Sequence, residues 1–399
     1  AFVNEALIYR GAAYIHRQML DYSFDPAALS EKENLKRALR RCFQIDIEGE
    51  PQRLTLGLSG AGVKRVELKV RSPLADKFIF EESLIVKYGP ADEIRQEREN
   101  YAQVPDSIRS CFVDFPAQDT YLDPKQQRAY IVMPDLDGYR TLYEYYLRGF
   151  QTVYPGLLKH LSAFLLRVHQ ARAYQREFAP RGILFDLYLL PMQQNLALSF
   201  NYLWQNKLPV GDEGQSRAHL LHQKLVEQLA DLTRYQFQME RFPSAFMHGD
   251  LHTRNIMIRR GMTASGGEGD LDFKLIDLEK SRVNGDLAMD IGQLSVDASV
   301  LAGENPRSIQ AQTPMQTVIR QIEKAYREFA LERHDRFFEA RFELAKARAY
   351  IRIAKGKTRQ IDQHTRMGKR GLAVDTARAM LSHLEQSVQH LQAVLKALE

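Results

Sequence analysis

Near Pro134 the hydrophobic period of the chain changes, and this change constrains its fold more than any other feature. Between Leu54 and Met133, outside a helical stretch near residues 92–104, apolar residues alternate with polar ones, which is typical of half-buried β-strands. After the linker Pro134–Gly138, apolar residues recur at helical spacing almost to the end of the chain. A strand that runs into a Pro/Gly linker is a typical domain boundary. We therefore predict a β-rich lobe first and a larger, mainly helical lobe after it.

Length and composition support two lobes in one soluble protein. The 399 residues exceed the size at which a single hydrophobic core stops growing, so a cleft between two lobes is expected. The chain has no run of about 18 apolar residues and does not begin with a secretory signal. These features predict a cytoplasmic protein without a membrane segment. Because the chain begins with Ala1 rather than methionine, an upstream domain or a partner protein stays open.

The sequence also allows predictions for the two cysteines, the first 50 residues and an insertion in the second lobe. Cys42 and Cys111 lie far apart and show no metal-ligand spacing, so we interpret them as buried free thiols. Residues 1–50 carry two apolar stripes at helical spacing and predict a helical N-terminal extension. Further along the chain, residues 177–214 form an insertion of uncertain structure, and Pro191 and Pro209 interrupt it.

A glycine-rich segment separates two strand-like stretches near the start of the first lobe. Gly57, Gly60 and Gly62 allow backbone N–H groups to approach phosphate oxygens, and Ser59 adds a hydroxyl group. Such a loop is also what an ordinary glycine-rich hairpin turn looks like. The segment alone leaves both interpretations open.

Lys87 and Glu97 are the next candidates for chemistry. Lys87 ends an apolar strand, where it is either an exposed strand end or a cation that neutralises nucleotide phosphates. Glu97 falls on the apolar face of a helix predicted from about residue 92 to residue 104. A carboxylate on a buried face requires a partner, and Lys87 is the obvious one.

The segment Phe246–Gly292 carries the strongest signal. It contains His248-Gly249-Asp250, then Asn255, Asp277 and Asp290. Phosphoryl transfer requires at least a base and a divalent cation. The cation can be held jointly by an amide oxygen and a carboxylate next to the base. His248, Asp250 and His252 also suggest a metallohydrolase, but such an enzyme explains neither Asn255 nor the glycine loop. An ordinary polar loop is the remaining alternative.

Three segments then identify a family resemblance: HGDLHTRNIMI, KLIDLEK and GDLAMDIG. They resemble the aminoglycoside phosphotransferase and choline kinase superfamily, strongly from Phe246 to Leu294 and more weakly, in the same order, from Leu54 to Gly138. The resemblance implies an α+β, two-lobed, protein-kinase-like fold, with a small antiparallel sheet and one helix in the N-lobe. The implied domains are the extension 1–50, a nucleotide-binding N-lobe 51–137, and a mainly helical C-lobe 138–399 with the catalytic loop and the acceptor site.

The resemblance also implies a role for each candidate residue. Asp250 would be the catalytic base, and Asn255 and Asp277 would hold Mg²⁺ on the nucleotide phosphates. Lys87, paired with Glu97, would contact the α- and β-phosphates. The backbone from Met133 through Asp135 to Leu136 would bind the adenine edge. The phosphate-covering loop would consist of Ser59, Gly60, Ala61, Gly62 and Val63, and the braces of the catalytic loop would be His248 and Asp290.

The sequence before Asn255 departs from the family pattern, and a basic segment lies further along the chain. The family usually has Pro-Gly before the asparagine, whereas this chain has Thr253-Arg254, and we interpret Arg254 as a surface residue rather than a phosphate ligand. Residues 345–371 contain nine Lys and Arg but only one acid, Asp362. This segment indicates either a surface for an anionic acceptor or nucleic acid, or a solvated helix face. The solvated face is favoured because no aromatic residues interleave the charges, and nucleic acid is therefore not expected as a partner.

The predicted function is an ATP- or GTP-dependent phosphotransferase that acts on a hydroxyl group of a small molecule. The alternative is a protein-directed kinase, or a nucleotide-binding regulatory module within a multidomain protein. The acceptor is expected between the Asp250 loop and the helices of residues 140–240 and 300–360. An aromatic cage for a cationic acceptor would draw on Tyr143, Tyr145, Tyr146 and Trp204, but packing in the helical core is the favoured interpretation of these residues.

Overall fold

A computed structural model describes the chain at residues 44–54, 62–72, 77–113, 120–123, 128–147, 155–171, 178–205, 210–262, 268–304 and 309–399. These residues divide into two compact units. The first unit holds the described residues up to Ala102 together with Phe112–Gly138. The second holds Gln103–Cys111 and Tyr139–Glu399, so a short segment ahead of residue 137 belongs to the helical part.

The first unit is an antiparallel sheet of five strands with one long helix. The strand order is β1-β2-β3-β5-β4, and helix α1, Ala91–Ala102, follows β3 directly and contacts β3, β4 and β5. Together with the helical second unit, this arrangement confirms the predicted α+β class. The strands are β1 Gln44–Leu54, β2 Gly62–Ser72, β3 Lys77–Pro90, β4 Thr120–Asp123 and β5 Arg128–Pro134.

Strand β1 corrects the prediction of a helical extension through residue 50. Residues 44–50 are strand, because Ile45 and Ile47 alternate with polar residues and pair with Val70 and Leu68 of β2. The rest of the predicted extension, residues 1–43, lies outside the described residues. Strand β3 is likewise a single strand, although its sequence suggested two. The polar residues at its centre pair in register with β2 instead of turning.

The second unit is predominantly helical. Its helices pack around two long antiparallel partners, α9 and α10, and its short strands form two small sheets, β6-β8-β9 and β7-β10. The helices are α2 Asp106–Arg109, α3 Leu142–Leu147, α4 Pro155–Gln170, α5 Leu190–Gln205, α6 Gly211–Met239, α7 Leu287–Glu304, α8 Ile309–Glu332, α9 Phe338–Arg366 and α10 Arg370–Leu398. The strands are β6 Arg140–Thr141, β7 Ala245–Met247, β8 Ile256–Met262, β9 Glu268–Leu275 and β10 Arg282–Gly285.

Apolar side chains along α9 and α10 form the core of this unit. Leu344, Ile351, Leu384 and Leu391 are almost completely buried there. Burial of one such side chain stabilises the fold by about 1.5–3 kcal/mol. Helices α5 and α6 and the π-helical turn Phe185–Leu189 pack against the same core.

The insertion predicted at residues 177–214 is therefore largely helical where it is described. Pro191 is the second residue of α5 and follows directly on the π-helical turn Phe185–Leu189, so it does not interrupt the helical run. Of the two cysteines, Cys111 is a buried free thiol as predicted, and Cys42 lies outside the described residues. Among the described helices, none combines the length and the apolar character that crossing a membrane requires.

Candidate active site

A buried carboxylate fixes the loop that follows strand β7. Asp290, in the first turn of α7, accepts hydrogen bonds from the backbone N–H groups of His248 at 2.6 Å and of Gly249 at 2.8 Å. Nε2 of His169 lies 2.9 Å from the same carboxylate, and Nδ1 of His169 contacts the hydroxyl group of Tyr326. The predicted brace is thus a network, and His169, which sequence reasoning missed, is part of it.

Gly249 and His248 shape the loop itself. Gly249 has φ +80°, and a Cβ atom there would lie 2.1 Å from the carbonyl oxygen of Lys280, so the position requires glycine. Nδ1 of His248 accepts from the N–H group of Asp250 at 3.3 Å, and Nε2 donates to the carbonyl oxygen of Ile276 at 2.9 Å. His248 therefore connects the Asp250 loop to the segment that carries Asp277.

These hydrogen bonds argue against the metallohydrolase interpretation. Both ring nitrogens of His248 are used within the loop, and Nδ1 of His252 accepts from the N–H group of Arg254 at 3.2 Å. Among the described residues, no group of three or more His, Cys, Asp or Glu side chains is arranged to hold a metal ion. His-x-Asp-x-His therefore does not converge on a cation here.

Asp250 is held by three side chains from elements distant in sequence. Its Oδ1 accepts from Nε2 of Gln293 on α7 at 2.6 Å and from Nη1 of Arg352 on α9 at 2.5 Å. Its Oδ2 lies 3.4 Å from Nζ of Lys280. Burial alone would raise the pKa of the Asp250 carboxyl group, but Arg352, His252 and Lys280 outweigh it and hold this pKa well below 3.8. The carboxylate is therefore ionised and oriented at neutral pH.

Asn255 lies next to Asp250, and the segment that carries Asp277 is hydrogen-bonded to Asn255. Nδ2 of Asn255 donates to the carbonyl oxygen of Asp250 at 2.9 Å, so its Oδ1 is the atom that faces away from this bond. The N–H group of Ile276 donates to the carbonyl oxygen of Asn255, which ties the two segments together. Asp277 has φ +69°, and His334 is the other described non-glycine residue with positive φ. Such backbone strain is often concentrated at functional sites.

The residues that depart from the family pattern have structural roles. The N–H and hydroxyl groups of Thr253 both donate to Asp297 on α7, at 2.8 and 2.7 Å, and Thr253 is fully buried. The guanidinium group of Arg254 lies 4.1 Å from the ring centre of Tyr143. Arg254 is exposed, which fits the interpretation as a surface residue, and its guanidinium group stacks on the Tyr143 ring.

The first unit contains the predicted pair of Lys87 and Glu97. Nζ of Lys87 donates to Oε2 of Glu97 at 2.7 Å, and both side chains are 8% exposed. The pairing predicted from the apolar face of α1 is therefore present. Gly62 and Val63 begin strand β2, whereas Ser59, Gly60 and Ala61 lie outside the described residues.

Met133 and Asp135 lie at the end of the same sheet. Met133 pairs with Ile85 of β3, and the N–H group of Asp135 donates to the carbonyl oxygen of Ser83 at 3.0 Å. The Asp135 carboxylate accepts from the Ser83 hydroxyl group at 2.9 Å and forms an ion pair with Arg65 at 2.8 Å. The backbone N–H group of Asp135 is thus used within the first unit.

Two of the aromatic candidates for a cage, Tyr146 and Trp204, pack against residues of the helical unit. Tyr146 is fully buried, and its hydroxyl group donates to the carbonyl oxygen of Leu301. Trp204 packs against Phe200 and His222 on helices α5 and α6. The predicted packing in the core is confirmed for Tyr146, whereas Trp204 is 39% exposed and is not part of the core.

Sequence reasoning missed the three residues that contact Asp250. Lys280 ends the segment KLIDLEK and Gln293 directly follows GDLAMDIG, but the sequence does not indicate that either side chain contacts Asp250. Arg352 lay in the basic segment interpreted as a solvated face. Its spacing from Arg348 and Lys355, at i, i+4 and i+7, placed three cations on one face of a helix and was the signal available.

The chain was also compared with known protein families and solved structures. The model of the phosphotransferase enzyme family (APH) matches residues 80–329. Similar solved structures include an ethanolamine kinase from Plasmodium vivax, with a TM-score of 0.48, 13% identity, and coverage of 94% of this chain and 92% of that one. An apo aminoglycoside phosphotransferase has a TM-score of 0.45, 13% identity and coverage of 84% and 95%. A glucosamine kinase has a TM-score of 0.45, 14% identity and coverage of 92% and 84%. No curated protein matches the chain.

Proposed function

The chain belongs to the phosphotransferase enzyme family, and from this premise we propose that it moves the γ-phosphoryl group of ATP or GTP to a hydroxyl group of a small molecule. The family model matches more than half of the chain, and membership makes the protein a kinase. The donor, the acceptor class and the roles of individual residues are the parts that we propose.

The arrangement around Asp250 is the observation that supports the proposal. In our assignment Asp250 orients the acceptor hydroxyl group and accepts its proton. Phosphoryl transfer with a loose transition state depends on positioning and late proton acceptance, so a carboxylate of low pKa is adequate. Asp290 supplies the positioning, because it holds the backbone of His248 and Gly249 through two hydrogen bonds.

Asn255 and Asp277 fit the requirements of Mg²⁺. Both provide hard oxygen ligands, and Mg²⁺ is usually bound by one or two protein ligands, with water and substrate phosphates completing its coordination. The Nδ2 bond of Asn255 to the Asp250 carbonyl leaves Oδ1 for the cation. When bound, Mg²⁺ would neutralise charge on the nucleotide phosphates. The chain's own contribution is to fix Asn255 in the same loop as the base.

Lys87 is assigned to the nucleotide phosphates. A lysine that is 8% exposed needs a counter-charge, and Glu97 provides it at 2.7 Å. This pair holds the ammonium group in a defined position on β3, the central strand of the first-unit sheet. For the phosphates we also propose contacts with Gly62 and Val63 at the start of β2, and for adenine we propose contacts with Met133 at the end of β5 and with Asp135 just after it.

The proposal is tested by nucleotide binding and by ATP consumption with a library of hydroxyl compounds. We expect Asp250→Ala and Asp277→Ala each to abolish acceptor-dependent ADP formation. Asp277→Ala should also weaken binding of Mg-ATP or Mg-GTP, whereas Asp250→Ala should leave it unchanged. Asp375→Ala, at an exposed position of α10, is the matched control. Full turnover by either active-site variant, or failure of wild-type protein to bind any nucleotide, would contradict the proposal.

A further inference from the structure

Helix α9 presents a row of cations to the Asp250 loop. Arg348, Arg352 and Lys355 follow each other at i, i+4 and i+7, which places them on one side of the helix. Arg352 reaches Asp250 at 2.5 Å, and Lys280 approaches the same carboxylate from the opposite segment at 3.4 Å. We call Arg348, Arg352, Lys355 and Lys280 the cationic wall.

The members of the wall repel one another. Burial lowers the pKa of the Lys355 ammonium group, and the nearby charges of Arg359, Lys280 and Arg352 lower it further. The charged groups that shift this pKa are all cations. Lys355 therefore lies in a region of positive potential, where an anion would be stabilised.

Arg348 adds a second, independent observation. Its Nε atom is buried and has no hydrogen-bond partner. Burial, followed by the charge of Arg352, lowers the pKa of Arg348 to about 10. A buried donor without an acceptor is costly and rare in native structures. Both observations on Arg348 indicate a missing acceptor group of negative charge.

The carboxylates nearby have other partners. Asp290 holds the backbone of His248 and Gly249, and Asp297 holds Thr253. Asp250 is engaged by Arg352, yet its assigned role requires an oxygen for the acceptor hydroxyl group. An anionic group beside Arg352 and Lys355 would satisfy both cations and let Asp250 take that role.

We propose that the acceptor is a small molecule that carries a phosphate or carboxylate group next to its reactive hydroxyl group, and that the cationic wall binds this anion. The inference rests on the proposed function. The acceptor oxygen forms the new bond to the γ-phosphorus atom, the bond from that atom to the β,γ-bridging oxygen breaks, ADP or GDP leaves, and the proton passes to Asp250. Arginine suits the anion because its planar group pairs with two oxygens at once. A cationic acceptor would be repelled by the same wall.

Calorimetric titration with three small hydroxyl compounds tests the proposal. The probes are glycerol 3-phosphate, glycerate and uncharged glycerol, so that the phosphate and carboxylate arms are distinguished. Each is titrated into full-length protein with and without Mg²⁺ and a non-hydrolysable ATP analogue, so a failure of nucleotide binding is seen separately and counts against the proposed function alone. The variants are Arg352→Gln, Lys355→Gln and, as the charge-matched control, Arg366→Gln at an exposed position in the last turn of α9.

We expect at least one anionic probe to bind at least tenfold more tightly than glycerol. Arg352→Gln and Lys355→Gln should each weaken that binding at least fivefold, and Arg366→Gln should not. Equal binding of all three probes, no binding of either anion, or equal losses in all three variants would overturn the proposal. Folding of each variant is verified by its thermal unfolding curve, and Lys355→Gln keeps the test decisive if Arg352→Gln fails to fold.

Discussion

Two arginine–aspartate clusters on one face of helix α9 have opposite designs. Arg341 and Arg352 are 11 positions apart in sequence, which corresponds to three helical turns or about 16 Å. Arg341 is fully buried and bonds Asp286 at 2.7 Å and Asp335 at 2.6 Å. Arg352 is 26% exposed and bonds Asp250, which is 16% exposed. The same pair of residue types is thus used once in the core and once at the candidate active site.

The balance of charge distinguishes the two clusters. Around Arg341, two carboxylates share one guanidinium group, and the Tyr188 hydroxyl group also donates to Asp286 at 2.7 Å. All three guanidinium nitrogens of Arg341 have carboxylate partners. Although burial would lower the pKa of Arg341, its two carboxylate partners raise it. A cluster with complete hydrogen bonding specifies structure.

Around Arg352, by contrast, the cations outnumber the carboxylates that contact them. Lys280 and Arg352 share Asp250, and Arg348 keeps an Nε atom without a partner. An arrangement that is incomplete within the protein is expected where a substrate supplies the missing groups. The balance of charge therefore separates a structural cluster from a functional one.

Removal of the structural arginine should have the largest effect on stability. Arg341→Met leaves Asp286 and Asp335 buried without a cation, so we expect the free energy of unfolding to fall by about 3–5 kcal/mol. Chemical denaturation monitored by circular dichroism measures this change. A loss below about 1 kcal/mol would mean that the buried cluster is not structural.

Gly249→Ala should distort the catalytic loop. The new Cβ atom would lie 2.1 Å from the Lys280 carbonyl oxygen, at a φ of +80°, so the loop must shift. A shift of about 1 Å in the position of a catalytic group can lower the rate by about 10²-fold. The control is Gly303→Ala on α7, where a Cβ atom meets nothing within 4 Å. Steady-state kinetics of the two variants test the loop, and equal rates would contradict its tight packing.

Arg352→Gln should change the pH dependence of the reaction. Arg352 is the strongest of the groups that lower the pKa of Asp250, so its removal raises that pKa. A protonated Asp250 cannot accept a proton, and the rate therefore falls at a higher pH than in the wild type. Arginine beside a carboxylate typically shifts its pKa by about 1–3 units. A profile of kcat/KM between about pH 4 and pH 8 measures the acid limb, and an unchanged limb would exclude Asp250 as the titrating base.

The same Arg352→Gln variant should have the smallest effect on stability. The lost ion pair is partly exposed, and the loss is offset by reduced repulsion of Arg348 and Lys355. We expect a change of at most about 1 kcal/mol in the free energy of unfolding. Denaturation beside Arg341→Met gives the comparison directly, and equal losses would show that the two clusters do not differ.

Local pattern predicted much of the candidate site. Asp250, Asn255 and Asp277 were found because their order and spacing lie within one short segment. The Lys87–Glu97 pair followed from the apolar face of α1, and the ion pair of 2.7 Å is present. Such features depend on neighbouring residues, which a single sequence displays.

What could not be predicted depends on contacts between distant segments. Arg352 lies 102 positions after Asp250, and His169 lies 121 positions before Asp290. Helical spacing showed that Arg348, Arg352 and Lys355 share a face, but it could not show what that face contacts. The helical prediction for residues 44–50 extends an apolar stripe that ends at Phe43, and pairing with β2 makes these residues a strand instead.

The most direct test neutralises one carboxylate of each cluster and measures phosphoryl transfer per folded molecule. Asp250→Asn should remain folded, bind Mg-nucleotide with wild-type affinity and lose about 10³-fold in single-turnover phosphoryl transfer. Asp335→Asn should lower the unfolding temperature while its folded fraction transfers phosphate at close to the wild-type rate. Transfer by Asp250→Asn at the wild-type rate, with Asp335→Asn impaired in catalysis instead, would contradict the assignment of Asp250 as the catalytic base.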